Sequence, residues 1–351
     1  MMANPGFKIA GRQIGPGQPP YLIAEMSGNH NGDIGRASAI IEAAAEAGAE
    51  AIKLQTYTAD TLTIDCDRPD FVLQGGLWKG RKLYDLYREA HTPWEWHEAL
   101  FRKGQDLGLA VFSTPFDETA VDFLEALAAP AYKVASFEAL HLPLLRRIAA
   151  TGKPVLLSTG MCDLAEIGEA VDTLRQGGCS ELLIFHCTSG YPTPVEDANL
   201  LAIPRLGDEF GVPIGLSDHT MDNGVAIAAV ALGAAAVEKH FTLHRADGGP
   251  DSAFSLEPAE LAGLATGLRA AWLALGQAEF QRAPSEQGNI IFRRSIYAVR
   301  DIAAGDAITA ENVRIIRPGH GLPPRDFARL IGRRARNAIA YGTAISWDLV
   351  E

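Results

Sequence analysis

The chain has 351 residues, 47% of them hydrophobic and 21% charged, with a formal net charge of −12. Such a length accommodates a barrel of about 250 residues and a second, smaller domain, while the acidic balance argues against a general nucleic-acid or membrane-surface binder. Four cysteines, Cys66, Cys162, Cys179 and Cys187, show no metal or redox spacing, which points to a reducing cytoplasm rather than a disulfide scaffold.

The opening "MMANPGFKIAGRQIG" lacks the apolar centre of a secretory leader. From Tyr21 onward, short apolar runs alternate with helical patterns. The strands read "YLIAEM", "AIKLQTY", "AVFSTP", "AYKVAS", "PVLLSTG", "LLIFHCTS", "PIGLSDHT" and "AVEKHFTL". Between them lie helices such as "RASAIIEAAAEAG", "WEWHEALFRKGQDLG" and "DLAEIGEAVDTLRQGG", each stopped by glycine. Eight such units predict a (β/α)8 TIM barrel over residues 1–277. The longest apolar stretch, "VAIAAVALGAAAV" from Val225, is shorter than the ~20 residues a membrane span needs and reads as a buried helix running into a strand. Residues 278–291 break the pattern as a linker. The segment 292–351 then shows short strands, glycine turns and little helix: a second, small, mostly-β domain whose size predicts that it docks on something. That tail carries ten Arg, no Lys and six acids. Fixed guanidinium forks suit carboxylate or phosphate groups, although most of these Arg are read as plain surface charge.

A doubly wound open sheet could carry the same alternation, but polar residues gather at the C-terminal end of nearly every strand, where barrel active sites are built. Residues i and i+2 of a strand share a face. Four such polar pairs recur: Lys53 with Gln55, His186 with Thr188, Ser217 with His219, and Glu238 with His240. Four pairs on four strands predict a functional ring at one mouth. Within it, Lys53, Lys133, Thr114, Ser136, Ser158, Thr159, Ser189 and Ser217 suit a phosphate or carboxylate ligand, which implies a locally basic pocket. Any single Ser or Thr among them could equally cap a strand end. An unpaired buried ammonium is expensive, so Lys53 and Lys133 are the sharper candidates. His219 and His240 end neighbouring strands and could share a divalent metal in an open site, or form a hydrogen-bonded pair. Glu25 ends the first strand, where a carboxylate could act as a base or orient a water. The loop "SGNHNG" offers Asn29, His30 and Asn31 to a polyol or phosphate, or else forms an Asx-rich turn capping the first helix.

In the same order, "IAEMSGNHNG", "AIKLQTYTADTLT", "STPFD", "YKVASFE", "LLSTGM", "HCTSGYPTP", "GLSDHT" and "EKHFTL" resemble the sialic acid synthase family, and "RRSIYAVRDIAAGDAIT…RIIRPGHG" resembles its C-terminal antifreeze-like (SAF, β-clip) module. The resemblance covers nearly the whole chain. It implies condensation of phosphoenolpyruvate with the aldehyde of an open-chain N-acetylated amino sugar, giving a nine-carbon 2-keto acid and phosphate. It also implies Mn²⁺ or Mg²⁺ held by His219 and His240, with Glu25 handling the attacking water. By the same resemblance, Lys53, Thr114, Lys133, Ser136, Ser189 and Ser217 would hold phosphoenolpyruvate. Gln55, Glu138, Tyr191 and Asp251 would contact the sugar. Arg317 of "IRPGHG" would reach the sugar from the antifreeze-like module, which in this family serves the other subunit, so a domain-swapped homodimer is implied. Within the family, "LYDLYREAHTPWEWH" and "RADGGPDSAFSLEP" look more like the pseudaminate-forming branch than the N-acetylneuraminate or legionaminate branches. A 6-deoxy acceptor needs an apolar wall for its methyl. Phe254 is a candidate for that wall or for plain barrel-end packing. Two other classes stand against this reading: a Schiff-base aldolase using Lys133, and a non-catalytic carbohydrate- or ice-binding protein using the tail.

Overall fold

The computed structural model describes residues 6–351. Residues 1–5, part of the segment read above as lacking a leader, lie outside the described residues. The chain divides into two compact units, Met1–Gly276 and Gln277–Glu351.

The first unit opens with an antiparallel hairpin of β1 (Phe7–Ile9) and β2 (Arg12–Ile14). Eight parallel strands follow: β3 (Tyr21–Glu25), β4 (Ala51–Thr56), β5 (Ala110–Pro115), β6 (Tyr132–Val134), β7 (Val155–Ser158), β8 (Leu182–Cys187), β9 (Ile214–Asp218) and β10 (Ala236–His240). They pair in chain order, and β10 returns to β3 to close the barrel. Both faces of each strand are covered, which is why the strands read as nearly continuous apolar runs. Leu22, Ala24, Ile52, Leu54, Val134 and Leu157 face outward into the layer shared with the helices. Tyr21, Ile23, Ala51, Phe112, Leu156 and Phe185 face inward. Phe7, Ile9 and Ile14 of the hairpin join that inner cluster, so the hairpin stops the N-terminal end of the barrel. Nothing in the spacing of so short a segment announced this.

Several barrel helices begin at acidic caps. Asp33 accepts from Arg36 N (2.8 Å) ahead of helix Ile34–Glu46, and Asp163 with Glu166 forms a reciprocal capping box ahead of helix Leu164–Gln176. The second of these helices is followed by Gly178 at φ +102°, a conformation that side chains rarely tolerate. Inside the barrel, Gly215 on β9 lies against the Phe185 ring, and a Cβ there would stand 2.5 Å from it. Between β4 and β5 the chain makes a long excursion that includes helices Ala59–Leu62, Leu83–Ala90 and His97–Asp106. Among the described residues, no helix is long and apolar enough to cross a membrane.

The second unit has its own core of Ile296, Ala298, Ile302, Ile308, Val313, Leu330, Ile339 and Ile345. Its two-stranded sheet pairs β11 (Ser295–Ala298) with β12 (Val313–Ile316), and a 3₁₀ segment, Pro284–Phe292, precedes it.

Candidate active site

The inward positions at the C-terminal ends of the strands converge on four charged groups. Lys53 Nζ lies 2.7 Å from Glu25 Oε2 and 3.7 Å from Glu238 Oε1, and it donates to Thr114 Oγ1 at 3.1 Å. Lys133 Nζ stands 3.5 Å from the same Glu238 oxygen, which also accepts from Ser217 Oγ at 3.3 Å. The two lysines are therefore not unpaired, and this part of the mouth is charge-balanced rather than basic. Glu238 is the shared counter-ion. Burial would raise its carboxyl, but Lys133 and Lys53 hold it below the usual range. Burial pulls Lys53 down, and Glu238 with Glu25 outweighs it and holds the ammonium above its usual value. Lys133 has the weaker pairing, and burial brings it below the usual lysine range. Burial pushes Glu25 up to about 7 against the pull of Lys53, which keeps both protonation states accessible at neutral pH.

A second group surrounds Gly160, just past β7. Its N–H donates to Ser136 Oγ at 3.0 Å, and its missing Cβ leaves room for Ser189 Oγ, which would otherwise lie 2.1 Å from that carbon. Ser158 Oγ and Ser189 Oγ are buried without a partner. Unspent hydroxyls beside two ammonium groups suit an anionic ligand. Thr159, by contrast, spends its hydroxyl on Phe185 O (2.9 Å) as a strand-end cap.

The third group is aromatic. The rings of His219 and His240 are 5.4 Å apart. Tyr191 lies 4.5 Å from the first and Phe254 4.9 Å from the second, with 5.2 Å between them. His219 engages Thr188 O through Nδ1 at 3.0 Å, which orients the ring and leaves Nε2 free. His240 Nδ1 is buried with no partner. Among the described residues, no cluster of three or more His, Cys, Asp or Glu forms a metal site. The two imidazoles still present the free nitrogen lone pairs that a divalent cation takes, with its remaining positions left to substrate and water.

The family model for the NeuB family matches residues 40–280, and that for the SAF domain matches residues 293–351. The chain belongs to the NeuB family. Pseudaminic acid synthase of Helicobacter pylori is 39% identical over 335 residues, covering 95% of this chain and 98% of that protein. Pseudaminic acid synthase of Campylobacter jejuni serotype O:2 is 42% identical, covering 93% and 95%. A solved structure of N-acetylneuraminic acid (sialic acid) synthetase from Leptospira borgpetersenii, in complex with citrate, matches at TM-score 0.73 and 32% identity, over 81% of this chain and 95% of that one. The resemblance to the sialic acid synthase family read from the motifs, and the barrel followed by a SAF module, both hold.

Within this NeuB-family barrel, the predicted residues fall unevenly. Glu25, Lys53, Gln55, Thr114, Lys133 and Ser217 share one network, with Gln55 Nε2 donating to Glu25 Oε1 and to Ser27 Oγ, both at 2.9 Å. Ser27 in turn donates to Asp251, which also accepts from Gly28 N at 3.3 Å. Glu138 ends a 3₁₀ turn, Ser136–Glu138, with its Oε2 buried and unpartnered, and burial raises it to about 7. Arg317 follows β12 in the second unit and is exposed. One predicted pair faces the wrong way. His186 Nε2 donates to Ala198 O at 2.7 Å, and Thr188 donates to Asp197 O at 3.1 Å, both on the helix side of β8. The inward residues of that strand are Leu183, Phe185 and Cys187, whose thiol lies 3.9 Å from His219 Nδ1. The loop donors are also structural. Asn29 Nδ2 bonds Phe241 O and Ser255 Oγ (both 2.9 Å), and His30 accepts from Gly32 N at 3.1 Å and lies 3.3 Å from Thr92 Oγ1. Sequence reasoning passed over Ser27 and Cys187. The i, i+2 spacing from Glu238 to His240 placed Glu238 in the ring, but did not show it to be the counter-ion shared by the two lysines.

Proposed function

We infer that the chain is a pseudaminic acid synthase, condensing phosphoenolpyruvate with 2,4-diacetamido-2,4,6-trideoxy-L-altrose to give pseudaminic acid and inorganic phosphate. The observation that carries this reading is the likeness to pseudaminic acid synthases along nearly the whole chain.

Lys53 and Lys133, with Thr114, Ser136, Ser189 and Ser217, hold the phosphate and carboxylate of phosphoenolpyruvate. Gln55, Glu138, Tyr191, Asp251 and Phe254 hold the sugar, with Arg317 of a SAF module reaching it in a domain-swapped homodimer. His219 and His240 hold Mn²⁺ or Mg²⁺, which when bound supplies Lewis-acid polarisation of the aldehyde. Carbon 3 of phosphoenolpyruvate bonds to the aldehyde carbon, whose oxygen takes a proton. Water then adds at carbon 2, giving one proton to Glu25, which balances the proton taken at the aldehyde oxygen; the other passes from the new hydroxyl to the departing phosphate as the C–O bond breaks and the 2-keto group forms. A carboxyl raised to about 7 can accept that proton and release it within one turnover. We assign residues 1–277 to the catalytic domain, 278–291 to the linker and 292–351 to the SAF domain, and place the enzyme in the cytoplasm.

The test is phosphate release from phosphoenolpyruvate with the 6-deoxy diacetamido altrose, with N-acetylmannosamine, and with no sugar, before and after chelation. Release with the deoxy sugar alone, lost on chelation and restored by Mn²⁺ or Mg²⁺, is the expected result. Release with mannosamine alone would move the chain to the neuraminate branch, and full activity after chelation would remove the metal. The depressed Lys133 favours one second reading, a Schiff-base aldolase. Borohydride inactivation in the presence of pyruvate would establish that reading, and its absence would dismiss it.

A further inference from the structure

The excursion after β4 contains a tight loop with no part in the network above. Val72 pairs with Lys82, Leu73 N donates to Arg81 O (2.9 Å), and Gly80 N donates to Leu73 O (2.7 Å). Lys82 is anchored by Asp65 and, at 2.9 Å, by Asp67. From this base the loop carries one large side chain, Trp78, toward the mouth of the barrel. Its indole Nε1 donates to Pro250 O at 2.9 Å, on the segment that follows β10. Its ring lies 6.0 Å from Tyr191 and 6.4 Å from Phe254, edge-on to the latter at 87°. Those two rings are the ones that stand against His219 and His240.

An indole carries a single polar group, and here that group is spent on Pro250. What Trp78 presents to the mouth is therefore apolar. Phe254 has no polar atom in its side chain at all. A hydroxyl brought against these two rings would give up its hydrogen bond to water without a replacement, whereas a methyl would gain contact. The phosphate-type donors lie elsewhere, around Lys53, Lys133 and Gly160, so this wall faces the second substrate.

We propose that Trp78 is a specificity-determining residue for the acceptor sugar, forming with Phe254 the apolar surface that receives the methyl carbon of a 6-deoxy acceptor. This rests on the condensation reading above. Trp78 sits near the tip of a loop containing Gly75, Gly76 and Gly80 and meets the barrel through one hydrogen bond and two ring contacts, so the thermal midpoint separates a folding defect from a change in specificity.

The experiment compares wild type, Trp78→Ala and Trp78→Phe by kcat/KM for the 6-deoxy diacetamido altrose and for the same sugar carrying a 6-hydroxyl. The KM for phosphoenolpyruvate and the thermal midpoint are measured alongside. An apolar pocket discriminates by roughly tenfold to a hundredfold, and not more. Trp78→Ala is expected to lose most of that preference through the KM of the deoxy sugar, with the phosphoenolpyruvate KM unchanged, and Trp78→Phe to restore it in part. Equal losses with both sugars, or an unchanged ratio, would overturn the assignment of Trp78 while leaving the reaction intact. No turnover of either sugar by the wild type would overturn the condensation reading and this assignment with it.

Discussion

Replacing Gly160 with Ala probes the anion-binding group without touching any charged residue. The backbone at Gly160 is not left-handed, so alanine is conformationally allowed. The difficulty is space: the new methyl would stand 2.1 Å from Ser189 Oγ and 2.9 Å from Ser136 Oγ. Both atoms are the ends of small side chains and can move. Ser189 Oγ has no partner to lose, and Ser136 loses the Gly160 N–H bond (3.0 Å), a net cost of about 1 kcal/mol. The fold should therefore survive with a thermal midpoint lowered by only a few degrees, roughly 2–4 °C. Binding should suffer far more. If both hydroxyls contact the phosphate, displacing them removes two charge-assisted hydrogen bonds of about 1.5–3 kcal/mol each. The smaller figure already gives about 3 kcal/mol, roughly a hundredfold in affinity. Steady-state phosphate release should show that rise in the KM for phosphoenolpyruvate, with kcat and the sugar KM little changed. Folded Gly160→Ala protein with a phosphoenolpyruvate KM within about twofold of wild type would refute the assignment of Ser136 and Ser189.

Lys239 donates to Asp218 Oδ2 (2.8 Å) and Thr220 O (2.5 Å) in a fully buried pair beside the two histidine-bearing strand ends. Lys239→Met should destabilise the protein by about 3–5 kcal/mol, because Asp218 is left charged and buried; a denaturant midpoint close to wild type would contradict this. His30 and His97 are buried, and burial holds each at about 4 against a usual 6.5. The folded state thus resists protonation while the unfolded state accepts it. Their stabilising contribution is complete above pH 6.5 and is lost as the pH drops from 6.5 toward 4, the loss amounting to about 3 kcal/mol for each once the pH is below 4. Urea midpoints between pH 7 and 4.5 should fall more steeply for wild type than for His97→Gln, and parallel slopes would count against the reading.

Several features were legible in the chain because they depend on local order. Eight apolar runs separated by capped, glycine-stopped helices specify parallel strands covered on both faces, and the barrel follows. Polar residues at strand ends marked the mouth, so Glu25, Lys53, Lys133, Ser217, His219 and His240 could be named from position and type alone. The face that each strand turns inward was less secure. On β8, the visible pair His186 and Thr188 points to the helices, while Cys187 lies inward beside His219. A shift of one residue inverts every side chain of a strand, and where the run is apolar throughout, composition does not choose between the two faces.

Partnership lay further still from the sequence. Glu238 and Glu25 together offset the two lysines of β4 and β6, and this turns an expected basic pocket into a balanced one. Asn29 and His30 look like ligand donors until Phe241, Ser255, Thr92 and Gly32 are seen to use them. Trp78 and Phe254 are 176 positions apart, and only the folding of the β4–β5 excursion over the segment after β10 sets their rings together. The sequence by itself determined which chemistries are present and at which end of the barrel. The tertiary structure decided which of those groups are spent on one another and which remain free, because hydrogen bonds and ion pairs form between residues that only closure of the barrel makes neighbours.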